Sequence, residues 1–136
     1  MPRGRSLCLD AGERRIGVAL SDAKGWLASP LVVLERRAAE RDFARIAALV
    51  REHGAERVVV GLPRSLDGRL GPQARRVRRW ATRLQSHLPV PIVYWDERYS
   101  TAEAERRLAA VPARRRPGID AAAAAVILQD YLDSDR

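Results

Sequence analysis

Several residue types and segments are scarce or missing in this sequence. It has one cysteine, one methionine and one phenylalanine, and no uninterrupted apolar stretch of the roughly 18–20 residues that a membrane-spanning helix needs. Its beginning carries no apolar segment of the signal-peptide type. The single cysteine, Cys8, cannot form an internal disulfide, which fits a reducing compartment. We therefore expect a cytoplasmic protein with no membrane partner.

Lysine is almost absent as well, because Lys24 is the one lysine among 25 basic residues and all the others are arginine. Against 17 acidic residues, this composition gives a formal net charge of +8. A compact basic domain favours polyanionic partners. Nucleic acid is favoured over a membrane surface because no lipid-facing helix is evident.

The whole sequence, residues 1–136, is expected to form one domain, since no internal repeat or low-complexity linker divides it. A meander of three strands followed by right-handed βα units predicts an α/β fold in three layers, a five-stranded mixed sheet in order 3-2-1-4-5 with helices on both faces. Pro30 predicts an edge position or a bulge in the third strand. Gly12 and Gly17 are attributed to the backbone requirements of the first hairpin. The predicted strands are Leu7–Leu9, Ile16–Leu20, Trp26–Leu34, Arg57–Leu62 and Pro91–Trp95; the predicted helices are Ala39–His53, one opening at Pro72, a short one opening at Ser100, and Ile119–Leu132.

Four acidic residues fall outside the predicted helix surfaces. Asp10 lies within or at the end of a central strand, Asp96 and Glu97 end the fifth strand, and Asp120 begins the last helix. An aspartate in a buried strand is costly unless it is paired or holds a cation. Carboxylates that converge on the ligand-binding rim of such a sheet repel one another unless divalent cations lie between them. Mg²⁺ or Mn²⁺ suits these oxygen ligands, and a pair of ions suits phosphoryl chemistry.

Each of these acids also has a purely structural interpretation. Asp10 could cap the turn of the hairpin, and Asp96 or Glu97 could form an ion pair with Arg98. Asp120 could be an ordinary first-turn carboxylate that the helix dipole favours. Residue spacing alone leaves both interpretations open.

Basic residues cluster in three places near these acids. Arg75, Arg79 and Arg83 recur every fourth residue along the second long helix, a basic loop leads into Asp120, and another loop follows the fourth strand. The alternatives are a solvated helix face and, for Arg98, an internal ion pair. Trp80 and Trp95 fall on apolar stripes and are predicted core residues. The residues expected to contact substrate phosphates are Arg64, Arg69, Arg75, Arg79, Arg98, Arg114, Arg115 and Arg116.

Four stretches, taken together, resemble the YqgF family, also called RuvX, of the RNase H-like superfamily. They are LDAGERRIGVALSD at 9–22, VVGLPRSLDGRLGPQA at 59–74, WDERYSTAEA at 95–104 and GIDAAAAAVILQDYL at 118–132. The stretches occur in the family's order and span nearly the whole chain. Cys8 stands where the family commonly has glycine, and Ser100 stands where it commonly has threonine.

The resemblance implies an RNase H-like fold and a nuclease that uses Mg²⁺ or Mn²⁺, with two ions expected. It implies that Asp10, Glu97 and Asp120 are both the catalytic residues and the metal ligands. In that arrangement Asp10 bridges the ions while Glu97 and Asp120 each hold one, and water attacks the phosphodiester without a covalent enzyme intermediate.

The choice between Asp96 and Glu97 is a question of geometry. Both lie on a strand that is two strands away from Asp10, or about 10 Å at the usual spacing of ~4.8 Å. Strand alternation directs them to opposite faces, so only one is expected to enter the site. We favour Glu97 because its side chain is longer.

Several functions fit these features of the sequence. The resemblance favours maturation of the 5′ end of precursor 16S rRNA in ribosome biogenesis, with pre-ribosomal particles as partners. Cleavage of branched DNA, as by a Holliday junction resolvase, is the alternative enzyme. A non-catalytic RNA-binding assembly factor is a third function. An actin-like ATPase or sugar kinase is a fourth, since DAGERRIGVA resembles their phosphate-binding hairpin, but a second lobe would not fit within 136 residues. The protein could be a monomer or a homodimer.

Overall fold

The computed structural model describes residues 4–63, 71–96 and 119–134, which form five strands and three long helices. The strands are β1 (Ser6–Ala11), β2 (Arg15–Ser21), β3 (Ala28–Glu35), β4 (Arg57–Leu62) and β5 (Ile92–Asp96). The helices are α1 (Ala39–His53), α2 (Pro72–Gln85) and α3 (Ile119–Asp133). The short helix predicted to open at Ser100 lies outside the described residues.

The strands form one mixed sheet in the order β3-β2-β1-β4-β5, which confirms the predicted order and fold class. β2 is antiparallel to both β1 and β3, whereas β4 is parallel to both β1 and β5. Pro30 lies on the edge strand β3, and the β2–β3 register shifts between Val18 and Ala19, the latter being opposite Pro30. Both expectations for Pro30 are therefore confirmed, because an edge strand next to an irregularity tolerates the missing N–H.

The helix bounds follow the predicted signals closely. α1 buries Phe43, Ile46, Ala47 and Val50, as its periodicity predicts, and ends at Gly54, which has the left-handed φ of 65° that glycine accepts most easily. α2 begins at Pro72, whose missing N–H costs nothing in the first helical turn.

The third strand begins later than predicted. Trp26 and Leu27 precede β3 and are 55% and 66% exposed. The Asp22 carboxylate accepts a hydrogen bond from the Trp26 backbone N–H at 2.7 Å, which belongs to a turn rather than a ladder. Apolar composition alone therefore extended the predicted strand by two residues.

The two faces of the sheet carry side chains of different size. Large residues such as Leu7, Leu9 and Ile16 pack with α1 and α2 on one face. Smaller residues, Cys8 and Ala19 among them, pack with the alanine-rich α3 on the other face. In the described part of the chain, no helix is both long enough and apolar enough to span a membrane.

Candidate metal centre

Asp10 is the next-to-last residue of β1 and lies on the α3 side of the sheet. Alternation along the strand gives it the same face as Cys8, which packs against α3. Its partner in the adjacent strand is Gly17 of β2. Asp10 therefore occupies the end of a central strand, facing the helix that carries Asp120.

Gly17 is the point at which α3 meets the sheet. A Cβ atom built on Gly17 would overlap the backbone carbonyl group of Asp120 and would lie 3.0 Å from the backbone nitrogen of Ala121. Because glycine has no side chain, the first turn of α3 rests directly on the β2 backbone, beside Asp10. This contact brings Asp10 and Asp120, which are 110 positions apart in the chain, into one site.

The attribution of Gly17 to hairpin geometry was wrong. The positive-φ glycines of the described residues are Gly4, Gly25 and Gly54, so neither Gly12 nor Gly17 adopts a conformation that requires glycine. The signal in the sequence is a glycine in the interior of a strand, which often marks a close backbone approach. Its partner in that approach could not be identified from the sequence.

The electrostatics of Asp10 reflect its burial and its neighbour. Desolvation of the largely buried carboxyl and, second, repulsion from the Asp120 carboxylate raise its pKa from 3.8 to about 6. Among the described residues, no donor hydrogen-bonds to the Asp10 carboxylate and no basic side chain forms an ion pair with it. Two neighbouring carboxylates with no cation between them among the described residues fit a divalent metal ion bound through oxygen ligands.

A third ligand is not found within residues 4–63, 71–96 and 119–134, where no group of three acidic, histidine or cysteine side chains could hold a metal. Glu97, the predicted third ligand, lies outside these ranges. Asp96 ends β5 beside Leu62 of β4, and alternation places it on the face of Tyr94, which packs with the α1–α2 core. Asp96 therefore lies on the opposite face of the sheet from Asp10.

The predicted phosphate contacts divide into two groups. Arg75 and Arg79 are exposed on α2, where they line an open groove with Arg78, Thr82 and Arg83, on the opposite side of the sheet from α3. The structure does not bring them together with Asp10. The others, Arg64, Arg69, Arg98, Arg114, Arg115 and Arg116, lie outside the described residues.

The predicted core roles of the two tryptophans are confirmed. Trp80 is buried beside Phe43, with their ring centres 5.8 Å apart. Trp95 is partly buried on the α3 face and packs edge-on against Tyr131, with their ring centres 5.7 Å apart.

Known sequences match this chain over nearly its full length. The family model described as "RuvX: Holliday junction resolvase" matches residues 4–134. A protein of Desulforudis audaxviator is 46% identical over 133 residues, covering 96% of this chain and 94% of its own. One from Symbiobacterium thermophilum is 50% identical over 129 residues, covering 93% and 90%. Both relatives carry the name "Putative pre-16S rRNA nuclease".

Solved structures with the same fold have much lower sequence identity. Thermus thermophilus RuvC in complex with a Holliday junction substrate aligns with a TM-score of 0.60 at 16% identity, covering 98% of this chain and 96% of that one. Another Thermus thermophilus RuvC structure aligns with a TM-score of 0.58 at 14% identity, covering 96% and 95%. At this identity, the likeness shows a shared RNase H-like fold.

Proposed function

The chain belongs to the RuvX (Holliday junction resolvase) family, and from this premise we propose that it matures the 5′ end of precursor 16S rRNA as a metal-dependent nuclease. As a nuclease it is a hydrolase acting on phosphodiester bonds. The observation that carries the proposal is the meeting of Asp10 and Asp120 at the end of the central strand, across Gly17. The names of its relatives support precursor 16S rRNA as the substrate.

The site residues divide the work of binding metal and positioning substrate. Asp10 and Asp120 would hold the cation or cations, Mg²⁺ or Mn²⁺, with Glu97 as the proposed third ligand. Bound ions would supply positive charge against the charge that develops on the phosphodiester and would activate the attacking water. Because water is the proposed nucleophile, no side chain need attack the phosphodiester. Because the two carboxylates lie on different elements, a strand and a helix, the ions they would hold would have a defined position relative to the sheet.

The raised pKa of Asp10 serves this role. A carboxyl with a pKa of about 6 is mostly ionised at pH 7 and is poorly solvated, so a divalent cation is a favourable partner. The arginines predicted to contact phosphates would hold the nucleic-acid backbone. The protein would act in a reducing cytoplasm, on pre-ribosomal particles. The buried Cys8, which as the single cysteine forms no internal disulfide, supports the reducing compartment.

Branched DNA is the second candidate substrate. The description of the family as Holliday junction resolvases and the fold shared with a junction-bound RuvC favour it. The same carboxylates would act, since hydrolysis of either backbone needs the same chemistry at phosphorus.

Cleavage assays on both substrates test the proposal. The wild-type protein should cut a precursor 16S rRNA fragment in Mg²⁺ or Mn²⁺ faster than a four-way DNA junction of equal length. Asp10→Asn and Asp120→Asn should each lose about 100-fold or more, while Glu52→Gln, an exposed carboxylate on α1, should keep full activity.

Other outcomes of these assays would point to a different substrate, site or function. Faster cleavage of the junction would make branched DNA the substrate. Full activity of both aspartate variants would refute the assigned site. Restoration of precursor rRNA processing in cells by Asp10→Asn would instead indicate a non-catalytic assembly factor.

A further inference from the structure

We propose that a basic cavity beside the β1–β2 turn, on the α1–α2 side of the sheet, binds a backbone phosphate of the nucleic-acid substrate. This cavity, called here the hairpin cavity, has a volume of about 580 Å³ and is bounded by the turn, the start of α1 and one face of α2. Its charged lining includes Arg36, Arg37, Arg76 and Arg83. The identity of the ligand as substrate rests on the proposed function.

The charge balance of the hairpin cavity favours an anion. Among its described lining residues, the carboxylates are those of Asp42 and Glu13. Asp42 is already engaged, because it forms a salt bridge with Arg45 at 2.7 Å and accepts hydrogen bonds from the Arg37 backbone N–H at 3.2 and 3.3 Å. Glu13 is exposed on the turn. Among the described lining residues, four guanidinium groups therefore stand against one carboxylate, that of Glu13, which forms no salt bridge within this part of the chain.

Two of the four guanidinium groups are held in place by the fold. Arg36 donates a hydrogen bond to the Gly12 carbonyl oxygen at 2.7 Å, and its guanidinium carbon lies 5.4 Å from the centre of the Trp80 ring. The guanidinium carbon of Arg83 lies 5.7 Å from the centre of the Phe43 ring. Guanidinium groups fixed on aromatic faces lose little entropy when their remaining N–H groups bind an anion.

The other two arginines of the cavity lining are Arg37 and Arg76. Within the described ranges, the side chains of Arg37 and Arg76 form neither a hydrogen bond nor an ion pair. The indole N–H of Trp80, a residue that lines the hairpin cavity, is buried and has no hydrogen-bond partner among the residues that the structure describes. The cavity thus combines fixed and adaptable donors, which suits a phosphate with several acceptor oxygens.

The hairpin cavity is close to the metal centre but on the other side of the sheet. Gly12, whose carbonyl oxygen binds Arg36, follows Asp10 by two residues, or about 7 Å of extended chain. In duplex DNA, each nucleic-acid strand advances roughly 3.4 Å per nucleotide along the duplex axis. A backbone that crosses the β1–β2 turn could therefore place one phosphate at the carboxylates and another, a few nucleotides away, in the cavity.

The test compares two pairs of arginines with equal charge. Arg37→Ala/Arg76→Ala removes two uncommitted arginines from the hairpin cavity, and Arg41→Ala/Arg51→Ala removes two exposed arginines of α1 outside it. Both pairs are made in the Asp10→Asn background and titrated with a fluorescent precursor 16S rRNA fragment in EDTA. Cleavage then plays no part in the readout, so failure of the proposed enzyme and failure of the cavity are distinguishable.

The cavity pair should weaken binding at least about tenfold and lower the slope of log affinity against log salt by up to about 2. The α1 pair should change affinity less than threefold. Equal losses for the two pairs would overturn the proposal, because they would indicate diffuse charge attraction. Arg76→Ala alone provides a second variant with one exposed substitution, and it should show about half the change in slope; no change would count against the cavity.

Discussion

At Gly17, the absence of a side chain determines how closely α3 approaches the sheet. The position of Asp120 relative to Asp10 depends on this contact, because the Asp120 backbone rests where a Cβ would be. A residue without a side chain therefore sets the spacing of two carboxylates. Small errors in such spacing are costly, since metal sites tolerate little change in ligand geometry.

Gly17→Ala should lower Mn²⁺ affinity by about 10- to 100-fold, because the added methyl pushes the first turn of α3 away from β2. Isothermal titration calorimetry with Mn²⁺ measures the change, and circular dichroism establishes that the variant is folded. The matched control is Gly71→Ala, where a Cβ would meet nothing within 4 Å. A folded Gly17→Ala protein with unchanged affinity would contradict this role.

The pKa of Asp10 predicts how stability depends on pH in the metal-free protein. Its value rises from 3.8 to about 6 on folding, so between these pH values the folded state binds more protons than the unfolded state. Stability therefore falls as pH rises from about 4 to about 6 and stays lower above it. Asp10→Asn lacks this charge and should be more stable than the wild type at pH 7.5, by up to roughly 3 kcal/mol at ~1.4 kcal/mol per pKa unit.

Urea unfolding in EDTA at pH 4 and pH 7.5 measures this difference. The two proteins should converge at pH 4, where the Asp10 carboxyl is protonated when folded. A variant less stable than the wild type at pH 7.5 would mean that the carboxylate is stabilised by partners in the metal-free fold.

Among the elements, α3 shows how side-chain size on one sheet face selects the helix that covers it. Cys8 and Ala19 on this face are small, and α3 presents Ala121 and Ala124, both buried, so backbones approach closely. The opposite face carries leucine, isoleucine and valine and packs against Phe43 and Trp80. The alanine-rich helix fits only the face with small residues, which is also the face of Asp10.

Gln129, in the C-terminal part of α3, forms hydrogen bonds with the backbone at the start of the edge strand β3. Its amide oxygen accepts a hydrogen bond from the Ala28 backbone N–H at 2.9 Å, and its amide nitrogen donates to the Trp26 carbonyl oxygen at 3.0 Å. Gln129→Ala should lower the free energy of unfolding by about 1–3 kcal/mol, because each backbone group loses its hydrogen bond to the Gln129 amide. Gln73→Ala on α2 is the control, since that side chain makes no hydrogen bond within the described residues. Equal unfolding midpoints in urea for the two variants would show that these hydrogen bonds add no stability.

For the molecule as a whole, the sequence was enough to predict the sheet and most helix bounds. Strand order 3-2-1-4-5 follows from connection rules applied to five apolar runs, and Ala39–His53 and Arg57–Leu62 match the observed elements. Contacts between distant residues could not be predicted in the same way. The close contact of Gly17 with the Asp120 backbone and the grouping of arginines around the hairpin cavity depend on how elements pack, which local patterns do not encode.

The arginines on the α1–α2 side predict strong salt dependence. With a net charge of +8, binding of the precursor rRNA fragment should weaken about 100-fold or more between 50 and 200 mM salt. Fluorescence anisotropy at four salt concentrations measures the slope. Affinity that is independent of salt would contradict an interface built on arginine–phosphate contacts.

Asp10 and Asp120 are proposed to hold a divalent cation together. A Mn²⁺ titration, by calorimetry at pH 7.5, of the wild type, Asp10→Asn, Asp120→Asn and the control Glu52→Gln tests the claim. We expect each aspartate variant to bind Mn²⁺ at least about tenfold more weakly than the wild type, and Glu52→Gln to bind it equally well. Wild-type Mn²⁺ affinity in both aspartate variants would contradict the claim.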